Sequence, residues 1–300
     1  MLKVVNYLKI CIKASECMKV SVIIPFRNYN ISVRNCIESV KTQKYKNVEI
    51  IAVSNKIKVK EIGVKSIFAP RCKGPGEKRN SGARVAKGDI LFFLDSDCVL
   101  KANSIQNLVK IFKEQKTDAV TGKPLAPRKG NLLGTVTGWE YEDRFDQMGE
   151  CFVDVAATTC FGILKKPFNK TGGFIDYSQN EAIGEDWDFS ARFRRKGYKI
   201  YHTNKVEVYH EHISEKLSDW FKKRILHAKY RITHLKKYEK FTDQYSGLSM
   251  IVSSSFLLSL PILIRVFRKK KDSRVFVLPF FAFLRTIAWS IGTVLGFIRG

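Results

Sequence analysis

Acid is scarce in this 300-residue chain: 28 Asp and Glu stand against 53 Lys and Arg, giving a formal net charge of +25 and a pI near 9.8. That imbalance predicts an anionic partner: nucleotide phosphates, nucleic acid or an anionic membrane face. No cysteine framework is present either. The seven cysteines (11, 17, 36, 72, 98, 151 and 160) are odd in number, scattered and without a CxxC pair. They exclude a disulfide scaffold and a zinc cluster and fit a reducing cytosol. Lysines interrupt every apolar run of MLKVVNYLKICIKASECMK and no small-residue cleavage site follows, so no secretory signal is expected. Residues 1–17 read either as a short appended helix or as an over-extended start. No recognised DNA- or RNA-binding motif occurs, and the basic charge is heaviest near the apolar tail, which argues against a nucleic-acid partner. With 45% hydrophobic residues, disorder of the whole chain is excluded, and the length allows one or two domains.

The first half alternates apolar runs with amphipathic segments. Val20 to Ile24 is a β-rich run that Pro25 should stop, and Asn30 can cap a helix carrying Val33, Ile37 and Val40 on one stripe. Further strands are predicted at 48–53, 67–69 and 90–94. A helix should open at Pro75 and run to Lys87 with Gly88 as its C-terminal cap, and another from about Ala102 buries Ile105, Leu108, Val109 and Phe112. Continuous apolar strands separated by such helices predict an α/β fold: a Rossmann-like, mainly parallel sheet with helices on both faces. Beyond it, a helix opens near Asp186 and ends at Gly197, Val206 to Tyr209 reads as an edge strand, and 214–238 is a basic amphipathic helix.

The most informative stretch is GDILFFLDSDC, Gly88 to Cys98. In an open parallel sheet, ligands bind outside the carboxyl ends of the strands. A buried strand therefore delivers Asp95 and Asp97 into a crevice, where alternate carboxylates can offer hard oxygen ligands to a divalent cation. A turn or capping cluster explains the same three residues.

Three segments decide between these readings: SVIIPFRN at 21–28, GPGEKRNSGARVAKGDILFFLDSD at 74–97 and GEDWDFSARFRRKGYKI at 184–200. In this order and at these separations they resemble the inverting glycosyltransferases of family 2, which have the GT-A fold. The resemblance covers roughly residues 19–212. It implies that Pro25 and Arg27 border the nucleotide site and that Arg79 and Asn80 lie near base and diphosphate. It further implies that Asp95 touches ribose or metal, that Asp97 holds a Mg2+ or Mn2+ ion, and that Asp186 is the catalytic base. A UDP-sugar is the default donor. One departure stands out: the acidic run that such enzymes carry after the second strand is here IIAVSNK, where Asn55 is left to hydrogen-bond a base edge.

A hydroxyl acceptor must lose a proton, and Asp186 is the preferred base, with Glu185 next and Asp188 as a cap or structural partner. The helix start alone also favours carboxylates there. If the acceptor is a lipid phosphate, its oxygen is already ionised and Asp186 positions rather than deprotonates. Arg224 is either a diphosphate partner or a solvated charge. His210 and His212 alternate along a strand end, so only one can reach the metal; His210 is preferred, with an ordinary hydrogen-bonded histidine as the alternative. Cys98 reads as a small buried residue.

Two apolar runs close the chain, 248–264 with Pro261 and 275–298 with Arg285 near its middle. As two spans they would place the basic 265–274 stretch opposite the cytosolic donor, against the positive-inside tendency. A C-terminal hydrophobic helical hairpin lying in or re-entering the cytoplasmic face of the cell membrane is therefore expected, beside a polyprenyl-linked or other glycan acceptor. Two buried helices of a soluble domain are the bland alternative. The expected units are 1–18, a catalytic 19–212, the basic helical region 213–247 and the tail 248–300. A sugar nucleotidyltransferase or an inactive nucleotide-sugar scaffold on the membrane are the competing functions.

Overall fold

The computed structural model describes residues 18–175, 184–211, 216–238 and 256–298. The expected extension at 1–17, His212 and the first residues of the 248–264 run lie outside the described residues. In chain order the elements are β1 (Val20–Phe26), α1 (Ile31–Lys41), β2 (Val48–Ser54), β3 (Val64–Phe68), α2 (Pro75–Val85), β4 (Ile90–Leu94) and β5 (Cys98–Leu100). Next come α3 (Ser104–Gln115), β6 (Ala119–Leu125), α4 (Leu132–Met148), β7 (Cys151–Val153), β8 (Cys160–Leu164) and α5 (Lys165–Thr171). The described chain ends with α6 (Glu185–Arg195), β9 (Ile200–His210), α7 (Leu217–Tyr238), α8 (Phe256–Lys270), a 3-10 turn (Ser273–Val277) and α9 (Leu278–Ile298).

The strands form one mixed sheet in the order β3-β2-β1-β4-β8-β6-β9-β5, with β7 also on β9. The pairs β1–β2, β2–β3, β1–β4 and β6–β9 are parallel, and β8 runs antiparallel between β4 and β6. All five residues of β4 are fully buried because the pleat sends them alternately to two covered faces. Ile90, Phe92 and Leu94 join Val33, Ile37 and Val40 of α1 and Ile105, Leu108 and Val109 of α3. Leu91 and Phe93 face the other way, onto Ala83, Phe161, Phe168, Phe174, Phe189 and Phe193. The rings of Phe93 and Phe174 meet edge-on at 5.1 Å, so the strand that carries the acids is packed against the loop ahead of α6.

Three sequence expectations change. β1 runs through Pro25 to Phe26, because β4 pairs with β1 only as far as Ile23 opposite Phe93. At Pro25 only the β2 side is laddered, so the missing N–H breaks nothing on the other side. Gly88 does not cap α2, which ends in extended backbone at Ala86. A Cβ on Gly88 would lie 2.6 Å from the Ser21 nitrogen and 2.8 Å from the Lys19 carbonyl, so the glycine serves close approach to β1. β9 is 11 residues long, nearly three times the expected length, and interior, flanked by β6 on one side and by β5 and β7 on the other. Its polar start concealed it: His202 is fully buried, bonded to the Gly149 carbonyl at 2.6 Å and stacked on Phe145.

The tail packs on the rest of the chain. Val266, Val275, Leu278 and Phe281 join Leu133, Val136 and Trp139 of α4 and Trp220 of α7 in a third apolar cluster. Gly292 and Gly296, one turn apart, let α9 lie directly on α7, since a Cβ on Gly292 would sit 2.1 Å from the Ile225 carbonyl. The basic 265–274 stretch meets protein carboxylates rather than standing bare. Arg265 forks onto Asp143 at 2.7–3.1 Å, Lys269 bonds Asp146 at 2.5 Å, and Lys270 bonds Glu142 at 2.5 Å. Ser273–Ile298, 26 residues, is long and apolar enough to cross a membrane, with an 18-residue stretch of mean hydropathy 1.7. Replacing Gly292 by Leu is expected to cost about 1–3 kcal/mol through overpacking, read as earlier urea unfolding and faster proteolytic release of α9.

Candidate active site

The site is built where β4 stops. Leu94 is the last laddered residue, and the Cys98 amide donates to the Asp95 carbonyl at 3.0 Å, closing a turn that carries both acids outward. The Glu211 amide donates to the Asp97 carbonyl at 2.8 Å, so the end of β9 is fastened to the same turn. Asp95 and Asp97 keep 27% and 40% of their side-chain surface, unlike the buried residues before them.

Arg79, buried at 3% exposure on α2, joins two parts of the site. One guanidinium nitrogen donates to Asp95 Oδ1 at 2.7 Å and the other to Glu185 Oε1 at 2.9 Å. Its charge lies 5.6 Å from the centre of the Phe174 ring. Burial works against protonation of Arg79, yet the two carboxylates outweigh it and hold the cation firmly charged. Asp95 at the strand end is thereby one guanidinium away from Glu185 at the start of α6.

Asp186 is half-buried beside that pair, and its Oδ1 accepts from the Trp187 amide at 2.9 Å. Burial foremost, then the charge of Glu185, pushes its carboxyl up to about 7, against the pull of the Trp187 amide and Arg79. Asp188 is fully buried and accepts from Arg192 at 2.6 Å and from the Tyr238 hydroxyl, with Lys237 at 3.4 Å. It is a structural partner that ties the end of α7 to the start of α6.

His210 and Cys98 face each other across the β5–β9 pairing, and His210 Nε2 lies 3.4 Å from Asp97 Oδ1. Burial alone would lower the imidazole, but the hydrogen bond and charge of Asp97, with Asp95 behind, raise it above its ordinary value. Ligand atoms of Asp97, Cys98 and His210 all lie within 4.8 Å of one another. The Asp97 carboxylate suits Mg2+ or Mn2+, while the imidazole nitrogen is a softer donor that favours Mn2+ over Mg2+. The Cys98 thiol, pushed well up by burial and the two aspartates, is the poorest donor of the three. An open cleft of about 340 Å3 adjoins Asp97, lined by Ser32, Asn35, Val99, Arg128, Lys129 and Glu211.

The other expected residues divide. Pro25 is buried at the end of β1 opposite Val53, and exposed Arg27 follows it, its carbonyl accepting from Ser54 Oγ at 3.2 Å. Asn55 Nδ2 donates to the Cys72 carbonyl at 3.0 Å, while its buried Oδ1 has no hydrogen-bond partner among the described residues. The Asn80 amide trades two hydrogen bonds with the Phe174 backbone, at 2.8 and 2.9 Å, pinning the segment that follows α5. Arg224 lies over the Trp220 ring in a pocket between α4, α7 and α9 with Glu140, Arg144 and Arg285. Sequence reasoning passed over Arg128, which binds Glu211 through both backbone and side chain at 3.0 and 2.5 Å. Its only signal was the basic cluster after Pro127.

Arg79→Met would leave Glu185 buried without its cation, an expected loss of about 3–5 kcal/mol in chemical denaturation. Against known sequences, residues 21–172 match the model of Glycosyl transferase family 2. Glycosyltransferase GlyG of Streptococcus pneumoniae serotype 4 is 27% identical over 135 residues, 41% of this chain and 45% of that protein. The O-antigen chain rhamnosyltransferase RfbN of Salmonella typhimurium is 22% identical over 232 residues, covering 70% and 73%. The UDP-Glc:alpha-D-GlcNAc-diphosphoundecaprenol beta-1,3-glucosyltransferase WfaP of Escherichia coli is 31% identical over 106 residues, covering 32% and 42%. The chain thus spans under half the length of GlyG, and 19% of the poly(ribitol-phosphate) beta-glucosyltransferase of Bacillus spizizenii. The mannosyltransferase PcManGT of Pyrobaculum calidifontis, solved with GDP-Man and Mn2+, superposes with a TM-score of 0.61 at 13% identity, over 92% of this chain and 87% of that one. A strand-end acid pair tied through a buried arginine to an acid-led helix, on a sheet of GT-A form, agrees with the family match over half the chain: this chain belongs to glycosyl transferase family 2.

Proposed function

We propose that the chain transfers a sugar from a nucleotide-sugar donor, with inversion at the anomeric carbon, to a polyprenyl-linked or other glycan acceptor at the cytoplasmic face of the cell membrane. The observation that carries this reading is the Arg79 bridge between Asp95 and Glu185, which sets a metal-ligand turn beside a half-buried carboxylate whose proton affinity suits a base near neutrality. Residues 19–212 would form the catalytic unit, with 213–247 and 248–300 as the basic and apolar regions that attach it.

Asp97 and His210, with Asp95 alongside, would hold Mg2+ or Mn2+. When bound, such an ion spreads the negative charge that grows on a leaving diphosphate. The donor base would meet Pro25, Arg27 and the unpaired Oδ1 of Asn55, which accepts a base N–H where related enzymes carry an acid. Asp186 would take the proton of an acceptor hydroxyl as it attacks the sugar from the face opposite the leaving group, with Glu185 held by Arg79 and so less free to serve. The cleft beside Asp97, with Arg128 and Lys129 on its wall, is the proposed acceptor entrance. Membrane attachment is supported by the exposed stripe Phe280, Phe283, Ile287, Ile291, Val294 and Ile298, spaced three and four apart along one face of the last helix.

In purified protein supplied with UDP- or GDP-sugars and a polyprenyl-phosphate-linked acceptor, release of nucleoside diphosphate is expected to require Mn2+ or Mg2+ and to be lost in Asp97→Ala. Pyrophosphate release instead would identify a nucleotidyltransferase, and no turnover with any donor would leave a scaffold. With a hydroxyl acceptor, Asp186→Asn should lower kcat by roughly 10²–10⁴-fold. The wild-type rate should climb with pH through about 7 as Asp186 deprotonates, and the variant should lack that limb. A rate that survives Asp186→Asn would point to an acceptor whose oxygen is already ionised.

A further inference from the structure

α4, α7 and α9 line a partly open pocket of about 40 Å3 with Thr137, Glu140, Tyr141, Arg144, Trp220, Arg224, Arg285 and Trp289 on its walls. Three guanidinium groups face one carboxylate. Arg285 pairs with Glu140 Oε2, and Arg144 approaches Glu140 Oε1 to 3.5 Å, which leaves two positive charges in excess. The pairing is also incomplete as hydrogen bonding: Arg224 Nε, Arg285 Nε and Arg285 Nη2 are buried donors without an acceptor among the described residues, and Glu140 Oε1 is a buried acceptor without a donor. Buried polar atoms left in this way cost about 1–3 kcal/mol each, more for charged groups. A native structure retains them where a ligand or ordered water completes the set.

We infer that this cavity is a binding site for a phosphate group, a monoester or the free end of a diphosphate. The unsatisfied donors outnumber the acceptor three to one and converge from two helices, which matches a tetrahedral dianion carrying several acceptor oxygens and at most one proton. At roughly 10–15 Å3 per water-sized occupant, the volume holds about three waters or one such anion. The Glu140–Arg285 pair links the site to α9, whose opposite face carries the exposed apolar stripe. A lipid headgroup phosphate and a soluble phosphate are the two sources of the same chemistry.

Trp220 and Trp289 line the cavity, so binding is read by tryptophan fluorescence of the full chain in detergent, titrated with inorganic phosphate. A saturable change is expected, weakened by roughly tenfold or more in Arg224→Gln, since hydrogen bonds to charged groups contribute about 1.5–3 kcal/mol. The double variant Glu140→Gln with Arg285→Gln removes both partners of the buried pair together and should weaken binding likewise; circular dichroism checks that each variant is folded. Displacement of phosphate by phosphatidylcholine vesicles containing phosphatidic acid, and not by phosphatidylcholine alone, assigns a lipid headgroup; displacement by neither assigns a soluble phosphate. No saturable change in the wild type, or equal affinity in both folded variants, means that the cavity holds water only and overturns the inference. The readout involves no sugar transfer, so its failure and that of the proposed activity are told apart.

Discussion

A single buried guanidinium holds the candidate active site together. Arg79 comes from a helix on one face of the sheet, Asp95 from the end of a central strand and Glu185 from a helix that follows some hundred residues later, and all three meet within 3 Å contacts. Burying one cation between two anions is tolerable only when each charge is hydrogen-bonded, which this fork achieves in two directions at once. Its consequence reaches the neighbour that makes no bond to it. With Glu185 charged beside it and little water around it, Asp186 retains its proton more strongly than an ordinary aspartate.

The supports around this centre are of two kinds. Apolar packing sets the distances: Phe93, Phe161, Phe168, Phe174, Phe189 and Phe193 fill the space between β4 and α6. Polar ties set the orientations. Asn80 pins the backbone of Phe174, Arg192 donates to the carbonyls of Thr171 and Gly173 at 2.8 Å, and Asp188 collects α6 and the end of α7. Residues that read as nucleotide ligands or helix caps in sequence thus serve partly to hold the loop through which α6 is delivered.

Electrostatics also explains how so basic a chain organises its tail. The few acids of α4 are concentrated on one side, where Glu140, Glu142, Asp143 and Asp146 receive Arg285, Lys270, Arg265 and Lys269. Arg285, costly within an apolar run, is thereby given a buried partner. The apolar stripe on the other side of α9 stays exposed, so one helix serves as packing element and as prospective membrane surface.

The sheet strands β2 and β4, the capped helix after Asn30 and the stripe of α3 were legible because apolar periodicity is a local property of the chain. The end of β4 was recognisable as the place where Asp95 and Asp97 leave the sheet, for the same reason. The interior position of β9 was not legible, because His202, Thr203 and Lys205 find partners only after folding. The location of Arg224 and the pairing of α4 with the tail were likewise hidden, since a charged side chain looks the same in sequence whether solvent or a distant carboxylate awaits it. Sequence alone determined β2, β4, the helices after Asn30 and Pro75 and the stripe of α3, and which acids stand at the strand end and helix start. Tertiary structure decided which cation joins them, because an ion pair between residues 79, 95 and 185 exists only once non-local packing has excluded the water that would otherwise screen it.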